Sequence, residues 1–192
     1  MEAKEDNQRF SLEVSQVLRR AGWYPGRTLS ETEVEQWYAF KHKWVPGYHR
    51  IIPSALVVLR EFGGLFIEQE VPGVTCYRHS FWIDPLTTLG LKEDSWSAYE
   101  WLLEDSLFPL GATGSSQDDV LAITGSGKLL CVPNEGPLLL EGNTFAQGLN
   151  SLIVGIMPSR MHFDDYERKM SEAAQVRAAA RRLYGPEWTL PS

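Results

Sequence analysis

With 192 residues, 43% of them hydrophobic and 22% charged, the chain has the make-up of a single globular domain, or one domain with an appended element. Its net charge of −7 argues against direct nucleic-acid binding, because a field of that sign repels phosphate backbones. The two cysteines, Cys76 and Cys131, have neither metal-ligand spacing nor the density of a disulfide framework, and read as reduced thiols. No apolar run approaches the roughly 20 residues of a membrane span, and the polar start from Met1 to Asp6 does not read as a signal peptide, so a cytoplasmic protein is expected.

The first helix is expected from Ser11, as N-cap, to Ala21, with Leu12, Val14, Val17, Leu18 and Ala21 as its apolar stripe. Gly22 ends it. Ser30 and Glu33 form a capping box for a second helix, with Leu29 and Val34 placed for a hydrophobic staple and Trp37 and Tyr38 facing inward. The segment from His42 to His49 reads as a loop. A third helix starts near Pro53 and ends at the glycine pair Gly63-Gly64, of which Gly63 is expected to take the left-handed closing conformation.

Beyond Gly64 the helical periodicity gives way to short apolar runs broken by turn residues, the texture of an antiparallel sheet. The candidate strands are Leu65 to Glu70, Thr75 to Ile83, Leu121 to Thr124, Leu129 to Pro133 and Leu138 to Glu141. Gly125-Ser126-Gly127-Lys128 is the best hairpin turn among them. A helical insert from Trp96 to Leu103 presents Trp96, Tyr99, Leu102 and Leu103 on one side, and Phe108-Pro109-Leu110-Gly111 returns the chain toward the sheet. Thr144 caps a helix to Ile153. An alanine-rich helix with basic last turns follows from Asp164 to Tyr184, and its thin apolar stripe, Tyr166, Met170, Ala173, Val176, Ala180 and Leu183, suits packing against the domain.

Little in the chain resembles catalytic machinery. Asp118 and Asp119 are adjacent carboxylates on an extended segment, where neighbours point to opposite sides, so they read as a solvated loop pair. The four histidines, His42, His49, His79 and His162, include no pair at the spacing of a helical metal site. Ser80 beside His79, or Ser115-Ser116 beside Asp118, lacks a nucleophile elbow, and Gly125-Ser126-Gly127-Lys128 lacks phosphate-loop spacing. No catalytic residue, cofactor or metal is expected. The seven tryptophans read mainly as core anchors, with Trp101 set apart because it shares a helix face with Glu104 and Asp105. Charge concentrates in the middle of the chain: residues 61–145 carry three Lys/Arg against thirteen Asp/Glu.

Five segments occur in an order more specific than any one of them: Ala-Gly-Trp-Tyr-Pro-Gly-Arg at 21–27, Glu-Phe-Gly-Gly-Leu at 61–65, Asp-Pro-Leu at 84–86, Leu-Phe-Pro-Leu-Gly at 107–111 and Phe-Ala-Gln-Gly-Leu-Asn-Ser-Leu-Ile-Val-Gly at 145–155. With them the chain resembles the SUKH superfamily, most closely its third subfamily. The resemblance implies an α+β domain at 10–155, with helices packed on one side of a mostly antiparallel sheet, between an N-terminal tail at 1–9 and a C-terminal helical extension at 156–192. It also implies a bacterial polymorphic-toxin immunity protein, not an enzyme, that binds a cognate basic toxin, a nuclease or nucleic-acid deaminase. The acidic middle suits such a partner. The motif residues Gly22, Trp23, Gly26, Gly63, Gly64 and Gly111 are expected to be architectural. The contact surface is expected at Glu100, Trp101, Glu104, Asp105, Asp118, Asp119 and Glu135. The alternative is a non-enzymatic regulatory or scaffold module, and a small hydrolase using Asp118 or His79 ranks last. The oligomeric state stays open.

Overall fold

The computed structural model describes residues 9–30, 32–36, 51–88, 93–114, 119–134 and 136–162, with Ser171, Gln175, Ala178, Ala179, Arg182 and Leu183 beyond them. A seven-stranded sheet, every neighbouring pair antiparallel, organises the chain. In order across the sheet its strands are β1 (Leu65–Ile67), β4 (Phe81–Ile83), β5 (Leu107–Thr113), β6 (Asp119–Thr124), β7 (Leu129–Val132), β8 (Leu139–Gly142) and β9 (Ser159–Arg160). A separate hairpin pairs β2 (Val71–Pro72) with β3 (Tyr77–Arg78).

Both faces of the sheet are buried, as the alternation along β6 records. Leu121 and Ile123 join the larger core with Val14 and Leu18 of α1 (Leu12–Arg20), Leu59 and Phe62 of α2 (Pro53–Phe62) and Leu149 and Ile153 of α4 (Phe145–Val154). These three helices occupy one side. Val120 and Ala122 turn the other way, into a smaller core closed by Trp96, Tyr99 and Leu103 of the insert helix α3 (Glu93–Leu103). The result is the expected α+β arrangement, with the insert covering the second face. The described residues of the C-terminal segment are helical and exposed, including Leu183 at 76%.

Local signals account for the helix ends. Ser11 accepts a hydrogen bond from the Val14 amide at 3.3 Å, and the Ser30–Glu33 box closes reciprocally, with Glu33 Oε2 accepting from Ser30 N at 2.8 Å and Ser30 Oγ from Glu33 N at 3.3 Å. Val34 is fully buried there, whereas Trp37 and Tyr38 lie outside the described residues. Gly155 ends α4 in the left-handed region at φ 72°. Two expectations shift by small amounts. Leu12 stands 77% exposed instead of joining the α1 stripe, because its first-turn position faces away from Val14 and Leu18. Gly63 has φ −55°, and the left-handed role falls to Gly64 at φ 76°, one residue after the α2 cap.

The strand map also changes. The expected run from Thr75 to Ile83 is divided between β3 and β4, since Ser80 turns its hydroxyl to Gln69, accepting from its amide at 3.0 Å and donating to its carbonyl at 2.9 Å. The segment expected merely to return the chain, Phe108 to Gly111, lies within the seven-residue, fully buried β5. Pro109 and Gly111 disguise it, and the pairing with β6 shifts register between them. Gly111 has a further reason to be glycine: a Cβ there would stand 1.8 Å from the Trp82 carbonyl oxygen of β4.

Candidate functional site

The expected contact residues divide between two places. At the end of α3, Trp101 is 46% exposed beside the exposed Glu104. The helix closes with paired bonds from Glu104 N to Trp101 O at 3.3 Å and from Asp105 N to Glu100 O at 3.2 Å. That closure requires a left-handed residue, and Glu104 supplies it at φ 51°, where glycine would be unstrained. Two neighbouring acids serve the fold as well as the surface. Glu100 Oε1 accepts from the Leu107 amide at 3.0 Å, and Asp105 Oδ2 accepts from the Ser126 amide in the β6–β7 turn at 3.1 Å. Burial pushes the Asp105 carboxyl up, but hydrogen bonds from Ser126, Thr124 and Ser106 outweigh it and hold the group below its usual range.

Asp119 opens β6, whereas Asp105 lies against the turn that closes it; six strand residues put about 20 Å between them. It is half-buried on the strand, accepting from the Asn134 amide at 3.2 Å, and so differs from the solvated loop residue expected. Asp118 and Glu135 lie outside the described residues. Glu100, Trp101, Glu104 and Asp105 therefore form one patch, and Asp119 belongs to another.

That second place is a cleft of about 230 Å³ on the helix-bearing side of the sheet. Its floor crosses four strands through Thr113, Asp119, Cys131 and Glu141, and its cover is Cys76, Tyr77 and His79 from the hairpin, Ser151 and Leu152 from α4, then Ile156 and Pro158. The hairpin tip is fastened to the end of α4: Val74 N donates to Val154 O at 3.0 Å, Thr75 N to Gly155 O at 2.8 Å, and Met157 N to Thr75 Oγ1 at 2.7 Å. Gly73 and Gly155 permit this approach, because a Cβ on Gly73 would stand 2.5 Å from the Gly155 Cα.

Burial dominates the chemistry of this cleft. Glu141 is only 8% exposed, and burial raises its pKa from 4.5 to about 7. The same desolvation, with the nearby carboxylates adding to it, pushes both thiols up, so Cys76 and Cys131 are protonated and poorly nucleophilic. His79 Nδ1 lies 3.5 Å from Glu70 Oε2 at the surface, and the Ser80 hydroxyl is occupied with Gln69. Among the described residues no group of three His, Cys, Asp or Glu is arranged to hold a metal ion. Of the cleft-lining carboxylates, sequence reasoning singled out Asp119 and missed Glu141. The available signal was parity: Glu141 shares the inward-facing side of β8 with Leu139, where an acid is out of place.

Comparison with known proteins places this architecture. A family model described as SUKH-3 immunity protein matches residues 10–155. No curated protein and no solved structure matches the chain.

Proposed function

The chain belongs to the SUKH-3 immunity protein family, which carries a toxin-immunity role, and we propose that it neutralises its cognate toxin by non-covalent binding through an acidic surface. The family match is the observation that carries this reading. The domain at 10–155 presents the end of α3 to the partner, with Trp101 as an aromatic anchor among Glu100, Glu104 and Asp105. Asp119, at the far end of β6, is a second acidic contact, and Asp118 and Glu135, which lie outside the described residues, belong to the same proposed contact set. The toxin is a nuclease or nucleic-acid deaminase acting in the cytoplasm, an enzyme whose substrate groove must be basic. Carboxylates offered to such a groove stand in for phosphate, steer the encounter and occlude the site with no bond made or broken.

The test is co-purification of the tagged chain with the product of the adjacent open reading frame, followed by inhibition of that product's activity. Glu104→Lys is expected to slow association several-fold with little change in dissociation, the behaviour of a rim charge. An adjacent product with no toxin domain, or a toxin that stays fully active with excess protein, would overturn the proposal.

A further inference from the structure

We infer that the cleft bounded by β3, the end of α4 and the sheet is a socket for one basic side chain, lysine or arginine, presented by a protein partner. The partner's identity rests on the toxin-binding reading; the chemistry of the socket does not.

Glu141 carries the argument. The residue is 8% exposed, lines the cleft, and makes no hydrogen bond or ion pair among the described residues. Burial keeps the unpaired group a neutral acid up to about pH 7, and its ionised form is costly there unless a cation enters to pair with it. Asp119 lines the same cavity, with one oxygen committed to Asn134. The lining holds no lysine or arginine, both thiols are neutral, and His79 is turned to Glu70 at the rim. The cleft supplies no cation of its own, and a cation entering it would pair with the ionised Glu141.

Size and wall chemistry narrow it further. About 230 Å³ falls below the roughly 300–1,000 Å³ of sites for whole small molecules and suits a single side chain. Tyr77, Leu152, Ile156 and Pro158 offer apolar walls to an aliphatic stem whose charged tip is directed at Glu141. Tyr77 and Ile156 are 47% and 40% exposed, and Val74 and Met157 beside them are 68% and 61% exposed. This apolar rim suits a protein surface surrounding the inserted residue more than it suits a free ion.

The experiment uses the full chain, ¹³C-labelled at glutamate, titrated at pH 8 with n-butylammonium, n-propylguanidinium and, as a neutral control, n-butanol. Saturable movement of the Glu141 carboxyl resonance is expected with both cations and not with butanol. Glu141→Gln, checked for folding by circular dichroism, should weaken cation binding by roughly tenfold or more and Asp119→Asn by less, while Leu12→Gln, at an exposed position of α1, leaves it unchanged. Absence of saturation, an equal response to butanol, or undiminished binding in folded Glu141→Gln would overturn the socket. Micromolar binding of spermidine would overturn it differently, by making a free polyamine the occupant. Against the toxin, Glu141→Gln should accelerate dissociation where Glu104→Lys slows association. A toxin that fails to bind the wild-type chain would sink the immunity reading and leave the alkylammonium result to judge the socket.

Discussion

Glu104 and Glu141 show, at the scale of single residues, two ways in which the chain accepts a local cost. Glu104 holds φ 51° at the C-terminus of α3, a conformation that costs a side-chain-bearing residue roughly 1 kcal/mol relative to glycine. Glu104→Gly is accordingly expected to raise unfolding stability by about 1 kcal/mol in urea denaturation, while removing a charge from the proposed contact patch. Strain retained at such a place fits an interaction surface. Glu141 bears the larger cost. Its folded pKa of about 7 lies above the ordinary 4.5, so between those values the native state binds the extra proton and stability falls as pH rises. The loss amounts to about 3 kcal/mol by pH 8, and urea midpoints measured from pH 4.5 to 8 should show it. In Glu141→Gln that decline should largely vanish; an unchanged slope would assign it elsewhere. Asp105 acts in the opposite sense, its depressed pKa making it stabilising above the ordinary 3.8 and lost as pH falls.

Secondary elements were legible wherever a local interaction specifies them. Ser11, Ser30 and Thr144 each receive the amide bond that their spacing announces, at 3.3 Å, 3.3 Å and 3.2 Å. Ser30→Ala removes half of a reciprocal box and is expected to cost about 1 kcal/mol by chemical denaturation. The Gly125–Lys128 turn behaves likewise, with Gly127 at φ 88° and Thr124 N donating to Lys128 O at 3.0 Å. β5 was illegible as a strand because Pro109 and Gly111 argue locally against one. Its reality depends on β4 and β6 alongside, and Gly111→Ala tests that dependence. The added methyl would sit 1.8 Å from the Trp82 carbonyl oxygen, so β4 and β5 must part, at an expected cost of about 3 kcal/mol. Retained wild-type stability would show that the two strands do not pack this closely.

Across the whole molecule, the acidic middle segment is distributed rather than gathered. Glu61 holds Arg9 at 2.7 Å and accepts from Trp23 Nε1 at 3.1 Å, Asp84 caps the turn at Leu86, and Asp105 and Asp119 lie at opposite ends of β6. The negative field nonetheless extends beyond any one patch, and it should act on encounter. Association with a basic toxin is expected to slow by about tenfold or more between 20 and 500 mM salt, with dissociation changing less, as stopped-flow mixing would record. A salt-independent association rate would remove electrostatic steering from the proposal. Legible from residue order alone was what is encoded within a few residues: helix caps, the tight hairpin, the α+β texture and the segments that carry the family resemblance. Assembly of the sheet had to add that the insert helix covers its second face, that β5 is a strand, and that Glu141 and Asp119 line one cleft beneath a hairpin from far earlier in the chain. Range separates the two. Capping and turn energies are settled between neighbours, whereas burial, and with it the charge state of Glu141, depends on strands and a helix that meet only once the sheet is assembled.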